Sequence, residues 1–133
     1  MPAEKNYEHQ ITRFLENNGI YALGTEQQNM TVPPVGYYNK RWGGGKYVKS
    51  GLPDYQIVVQ GHCIEVEVKA SNGVESALQR QKIQQINNAG GCAFFLYPKD
   101  FNAFTWLIYS VKRGYKPTLK LWESEQKRGA LNA

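Results

Sequence analysis

The chain is expected to fold as one mixed α/β domain, a central mixed β-sheet flanked by helices in the order α-β-β-β-α-β-α. Three observations predict this. Residues 4–18 carry an apolar stripe at helical spacing. Residues 54–60 and 63–69 read as two strands with a short connection. A helix, a buried strand and a second helix then follow between 75 and 111. Helices distributed around a strand hairpin imply helices packed on one sheet.

Each element has its own justification. Tyr7, Ile11, Phe14 and Leu15 lie at i, i+4, i+7 and i+8, one buried stripe of a helix. Asn17, Asn18 and Gly19 supply its stop. Ile20 to Leu23 reads as a short strand. Gly24 to Gly51 reads as irregular, given Pro33-Pro34, Gly36 and Gly43-Gly44-Gly45. A connection of that length is more often functional than idle. Asp54 to Gln60 has the β-branched content of a strand, and Gly61-His62 makes a tight turn. Residues 63–69 alternate strictly, with Cys63, Glu65, Glu67 and Lys69 on one face and Ile64, Val66 and Val68 on the other. Leu78, Ile83 and Ile86 give a helix over 75–89 its apolar face, and Gly90-Gly91 ends it. Cys92 to Tyr97 is wholly apolar and predicts a buried strand. Pro98-Lys99-Asp100 breaks that strand before a helix through Phe101, Phe104, Leu107, Ile108 and Val111. Thr118 to Trp122 reads as a further strand, followed by a frayed polar end. Residues 1–111 form the expected domain and 112–133 a basic C-terminal extension.

Composition narrows the classes. The 133 residues suit one domain with its own core. Apolar residues at 41% and charged residues at 20% describe a folded globule rather than a disordered tail. The net charge of +5 fits an anionic partner, but weakly. Its distribution says more. Lys40, Arg41, Lys46 and Lys49 crowd one acid-free stretch. From 112 onward six cations face Glu123 and Glu125, whereas ten cations face nine acids before it. Cys63 and Cys92 lie in apolar runs and are expected in the core. There is no CxxC spacing, and His9 and His62 do not complete a zinc quartet. No apolar stretch resembles a signal peptide or approaches 18 residues. The expected location is therefore cytoplasmic, with no membrane partner.

The chemistry centres on the alternating strand. Unpaired buried charges cost several kcal/mol, so three on one strand face call for a use or for solvent. An exposed edge carrying ordinary surface charge is one reading. Asp54 favours the other. A hairpin can fold Asp54 back beside Glu67, and two carboxylates converging near Lys69 suit a hard divalent cation. Such an ion polarises a phosphoryl oxygen and acidifies water, while the lysine orients or deprotonates the water and offsets developing charge.

These residues resemble the PD-(D/E)XK nuclease signature: Gly51-Leu52-Pro53-Asp54, then Glu67-Val68-Lys69. The fuller string is similar to small stand-alone VRR-NUC domain nucleases, many of them phage-encoded. It comprises Trp42-Gly43-Gly44-Gly45, Lys49-Ser50-Gly51, Pro53-Asp54, Glu67-Val68-Lys69, Ser76 with Gln79, Ala89-Gly90-Gly91 and Tyr97-Pro98. The likeness spans about residues 4–111, and the combined string is far more specific than the bare motif. It implies a restriction-endonuclease-like core and an Mg²⁺- or Mn²⁺-dependent DNA endonuclease that leaves a 5′-phosphate. Asp54 and Glu67 would be metal ligands, with the Val68 main-chain carbonyl as a third. Lys69 would be the catalytic lysine. Glu8 would complete the metal site directly or through water, unless it is simply a solvated helix glutamate. Gln79 would hydrogen-bond near the lysine or substrate, although the helix also holds Gln81, Gln84 and Gln85, and Gln81 is the alternative register. Glu65 is expected to support the site or face solvent rather than to be a ligand.

Lys40, Arg41, Trp42, Lys46 and Lys49 suit a nucleic-acid clamp, because glycines let backbone approach a phosphate and aromatics can stack on bases. Stand-alone relatives act as dimers on branched DNA, in the manner of Holliday-junction resolvases, which implies a homodimer in the cytoplasm of a bacterial host. Two stretches depart from the pattern, 24–38 and the tail beyond 111, and both bear on substrate preference. The reading from a different class is a non-catalytic DNA-binding or protein-interaction module on the same fold.

Overall fold

The computed structural model describes residues 3–41 and 51–131. Helix α1 (Ala3–Asn17) leads into β1 (Ile20–Ala22), a 3₁₀ turn at Gln27–Asn29 and β2 (Gly36–Lys40). The hairpin β3 (Tyr55–Val59) and β4 (His62–Val68) follows, then α2 (Ala77–Asn88), β5 (Ala93–Leu96), a 3₁₀ turn at Pro98–Asp100, α3 (Phe101–Lys112) and α4 (Leu119–Leu131). The five strands form one mixed open sheet in the order β1-β2-β3-β4-β5. The two outer pairs, β1–β2 and β4–β5, are parallel and the inner ones antiparallel. The α/β class and the central mixed sheet therefore hold.

Register explains the core. Tyr55, Ile57 and Val59 pair with Val66, Ile64 and His62, so their shared face meets α1 and α3. Ile57, Val59, Ile64, Val66 and Val68 are fully buried there, with Ile11, Leu15, Phe104, Leu107 and Ile108 against them. Burying each such side chain contributes about 1.5–3 kcal/mol before chain entropy is subtracted. Gln60 and Gly61 turn the hairpin with φ of 51° and 79°, the paired positive values of a type I′ turn.

The element order differs from expectation at two places. A strand, Gly36–Lys40, lies inside the stretch read as irregular. It alternates weakly, because Tyr38 alone is buried on it. Its glycine is demanded by contact: a Cβ on Gly36 would meet the Val58 carbonyl oxygen at 2.0 Å. The second difference is Leu119–Leu131, which is helical instead of the strand expected over Thr118 to Trp122. Leu119 and Leu121 mimic strand alternation, but packing decides otherwise. Trp122 is buried and stacks on Phe94 at 3.8 Å between ring centroids, and Arg128 lies over the Trp106 ring at 4.3 Å. The Phe94–Trp122 contact adds about 0.5–1.5 kcal/mol beyond its area.

The cysteines part company. Cys92 is buried, but Cys63 is exposed, because it sits on the Glu65 side of β4 and not on the face packed against α1 and α3. At the edge strand β5, the Asn87 amide of α2 donates to the Ala93 carbonyl at 2.9 Å and accepts from the Ala93 N–H at 2.8 Å. No helix among the described residues is long and apolar enough to cross a membrane.

Candidate active site

The hairpin sets the geometry. One step beyond the Tyr55–Val66 pair, the antiparallel register puts Asp54 opposite Glu67. Their carboxyl groups lie close enough to shift each other. The Val68 backbone also hydrogen-bonds Asp54, and the Asp54 backbone hydrogen-bonds Glu67. Glu67 is buried, since β4 is an interior strand and Phe95 of β5 lies alongside it. Burial raises both acids above their ordinary values, Glu67 to about 8. At Glu67 the Asp54 charge pushes further upward, and Lys69 offsets part of it. At Asp54 the hydrogen bonds to Glu67 and Val68 offset burial, Glu8 adds to the rise and Lys40 opposes it. Two carboxylates that repel in a dry place are short of positive charge.

Lys69 is buried, and its ammonium donates to the Val74 carbonyl at 2.8 Å. The turn that supplies this carbonyl is tight. A Cβ on Gly73 would come within 3.1 Å of the Lys69 Cδ. The same segment is latched at Glu75, which accepts from the Tyr97 hydroxyl, while the Tyr97 carbonyl accepts from the Tyr7 hydroxyl at 2.6 Å. Gln79 approaches from the first turn of α2. Ser76 caps that helix with a capping box, its hydroxyl accepting from the Gln79 N–H and the Gln79 side chain accepting from the Ser76 N–H. The Gln79 amide then reaches Glu67 at 3.4 Å, a long contact. Gln81 is exposed, so the register favours Gln79.

Glu8 is the third acid. Although it lies beside the apolar stripe of α1, it is 6% exposed. Lys40, at the end of β2, donates to both its oxygens at 3.1 and 3.0 Å, and Lys5 stands 3.7 Å away. The reading of Glu8 as a solvated surface residue thus gives way to a buried, ion-paired carboxylate that Asp54 senses electrostatically.

The structure therefore brings together Asp54, Glu67, Val68, Lys69, Gln79, Glu8 and Lys40. The Arg41 N–H donates to the Asp54 carbonyl at 2.6 Å, but its side chain turns away from them. Its guanidinium forks onto both oxygens of Glu65 at 2.8 and 2.7 Å and donates to the Pro53 carbonyl at 3.0 Å. Glu65 is accordingly engaged by Arg41. Trp42, Lys46 and Lys49 lie outside the described residues. Sequence reasoning missed the Lys40–Glu8 pair, the Tyr97–Glu75 latch and the Val74 carbonyl. A lone lysine at a strand end signals no partner, and a carbonyl leaves no mark in a sequence.

Among the described residues, no group of three or more His, Cys, Asp or Glu side chains is arranged to hold a metal ion. The Asp54–Glu67 pair nevertheless suits one kind of ion. Mg²⁺ takes hard oxygen donors, commonly one or two carboxylates, and completes its shell with water and substrate phosphate. The upward push on both acids is the electrostatic complement of that requirement. In comparisons with family models, curated proteins and solved structures, no match to this chain was found.

Proposed function

We propose that this chain is a divalent-metal-dependent DNA endonuclease with a restriction-endonuclease-like core. The observation that carries the proposal is the buried Asp54–Glu67 pair, with Lys69 beside it and Glu8 held close by Lys40. Asp54 and Glu67 would hold Mg²⁺ or Mn²⁺, with the Val68 carbonyl completing the protein's share. When bound, the ion neutralises phosphoryl charge and acidifies water. The net reaction adds water across a phosphodiester: a new P–O bond forms to the water oxygen, the P–O3′ bond breaks, and a 5′-phosphate and a 3′-hydroxyl result.

The side chains divide the work. Lys69, fixed by Val74, presents its ammonium to the phosphoryl oxygen that gains charge in the transition state. Gln79 steadies the Glu67 carboxylate. Glu8 sits on the other side of Asp54 and can accept a hydrogen bond from water there. Branched DNA and a homodimer remain part of this proposal through the sequence resemblance.

Plasmid nicking tests it. Wild-type protein with Mg²⁺ or Mn²⁺ should nick, while Asp54→Asn should be inert. Lys69→Ala should lose about 10²–10⁴-fold in rate, the range for a lost proton-transfer or charge-stabilising group. A wild type inert with both metals on plasmid, junction and flap DNA, or variants that cut as well as wild type, would sink the proposal.

A further inference from the structure

A second feature adjoins this site. A pocket of about 370 Å³ opens between α1 and the ends of β1 and β2. Lys5, Glu8, His9 and Thr12 line it from α1, at positions that share one helix face. Lys40 and Tyr55 form the side towards Asp54. Leu23 forms the apolar side.

Two independent observations point to the same ligand chemistry. One is the ring of donors. Lys5, His9 and Lys40 all border the pocket, and the one acid there, Glu8, is shared between Lys40, which donates to both its oxygens, and Lys5 at 3.7 Å, so donors outnumber acceptor carboxylates. The other is Leu23. It is 63% exposed and borders the pocket, and its N–H donates to the Tyr38 carbonyl at 2.9 Å. A large apolar side chain left in water, across a small pocket from three N–H donors, matches a ligand with an apolar part and an anionic part.

The volume sets the size of that ligand. It lies near the lower end for small-molecule sites, roughly 300–1,000 Å³, with room for about one nucleotide and too little for a base pair. We infer that this pocket takes a single unpaired nucleotide, its phosphate on Lys5 and His9 and its base against Leu23. The inference rests on the nuclease reading only in taking DNA as the ligand. It adds that the strand next to the cut enters with a nucleotide out of its stack. A paired nucleotide would first have to be extruded, which costs unstacking and unpairing energy, so the pocket selects DNA that already offers an unpaired one.

The test needs no cleavage. A 5′-labelled eight-nucleotide single strand and the same sequence as a blunt duplex are titrated by fluorescence anisotropy in EDTA. Wild type should bind the single strand at least fivefold more tightly. Lys5→Ala with His9→Ala, and separately Leu23→Ser, should each weaken single-strand binding at least fivefold and narrow its advantage over duplex. All three positions are exposed, so the fold should persist, and circular dichroism checks that it does. Equal or tighter duplex binding, or variants that bind the single strand as wild type does, overturns the pocket. A protein that shows the expected binding but cuts no DNA refutes the nuclease reading and leaves the pocket standing. A protein that cuts DNA but ignores these substitutions refutes the pocket alone.

Discussion

Lys40 and Arg41 are neighbours in the chain and opposites in the fold. Each ends on a glutamate through two hydrogen bonds. Lys40 turns towards α1 and joins the buried acids, whereas Arg41 turns to Glu65 and the Pro53 carbonyl, tying the end of β2 to the hairpin. The residue types suit the two tasks. A lysine is a compact point charge on a flexible stem, able to give way when a substrate or ion claims Glu8. An arginine fork matches a carboxylate at two points and holds geometry. One step along a strand is enough to send one charge to the buried acids and the next to the opposite face of the hairpin.

That contrast can be broken by experiment. The largest effect is expected at Glu8. Glu8→Gln should slow nicking about 10–100-fold, the cost of losing a supporting group at a metal site, and a wild-type rate would detach the Lys40 pair from the chemistry. Arg41→Ala should instead register in urea unfolding, losing about 1–3 kcal/mol because Glu65 is left partly buried without its partner. Arg41→Lys should recover only part of this, since a lysine cannot fork. If Arg41→Ala proves as stable as wild type, the bridge is ornament. The smallest effect on stability is at the acid pair. In metal-free buffer, Asp54→Asn should raise the melting temperature by roughly 2–4 °C, a modest gain because the site is only partly dry. Mn²⁺ should then raise the melting temperature of wild type but not of this variant. A variant that melts below wild type without metal would show that the two carboxylates do not strain each other.

Much of the site was legible because its logic is local. Asp54 and Glu67 were paired by hairpin arithmetic, and Lys69 by alternation. Glu8 came in through the family resemblance alone. What stayed hidden depends on tertiary contact. The strand over Gly36–Lys40 has one buried side chain, so its period is too faint to read, and it forms because β1 and β3 both offer it hydrogen-bonding edges. The helix over Leu119–Leu131 is decided by Trp122 finding Phe94, a partner 28 residues earlier in the chain. Cys63 was misjudged for the opposite reason. Its own alternation already put it with Glu65, and the apolar character of its neighbours outweighed that pattern.

The Asn87 amide at Ala93 has a consequence for assembly. An exposed sheet margin is an invitation to any extended chain, including another copy of the same protein. Here a side chain imitates a neighbouring strand at one residue and occupies both groups that Ala93 would offer. The first residue of that margin is thus already satisfied by a single asparagine. A second copy that added a strand at β5 would therefore first have to displace the Asn87 amide from Ala93.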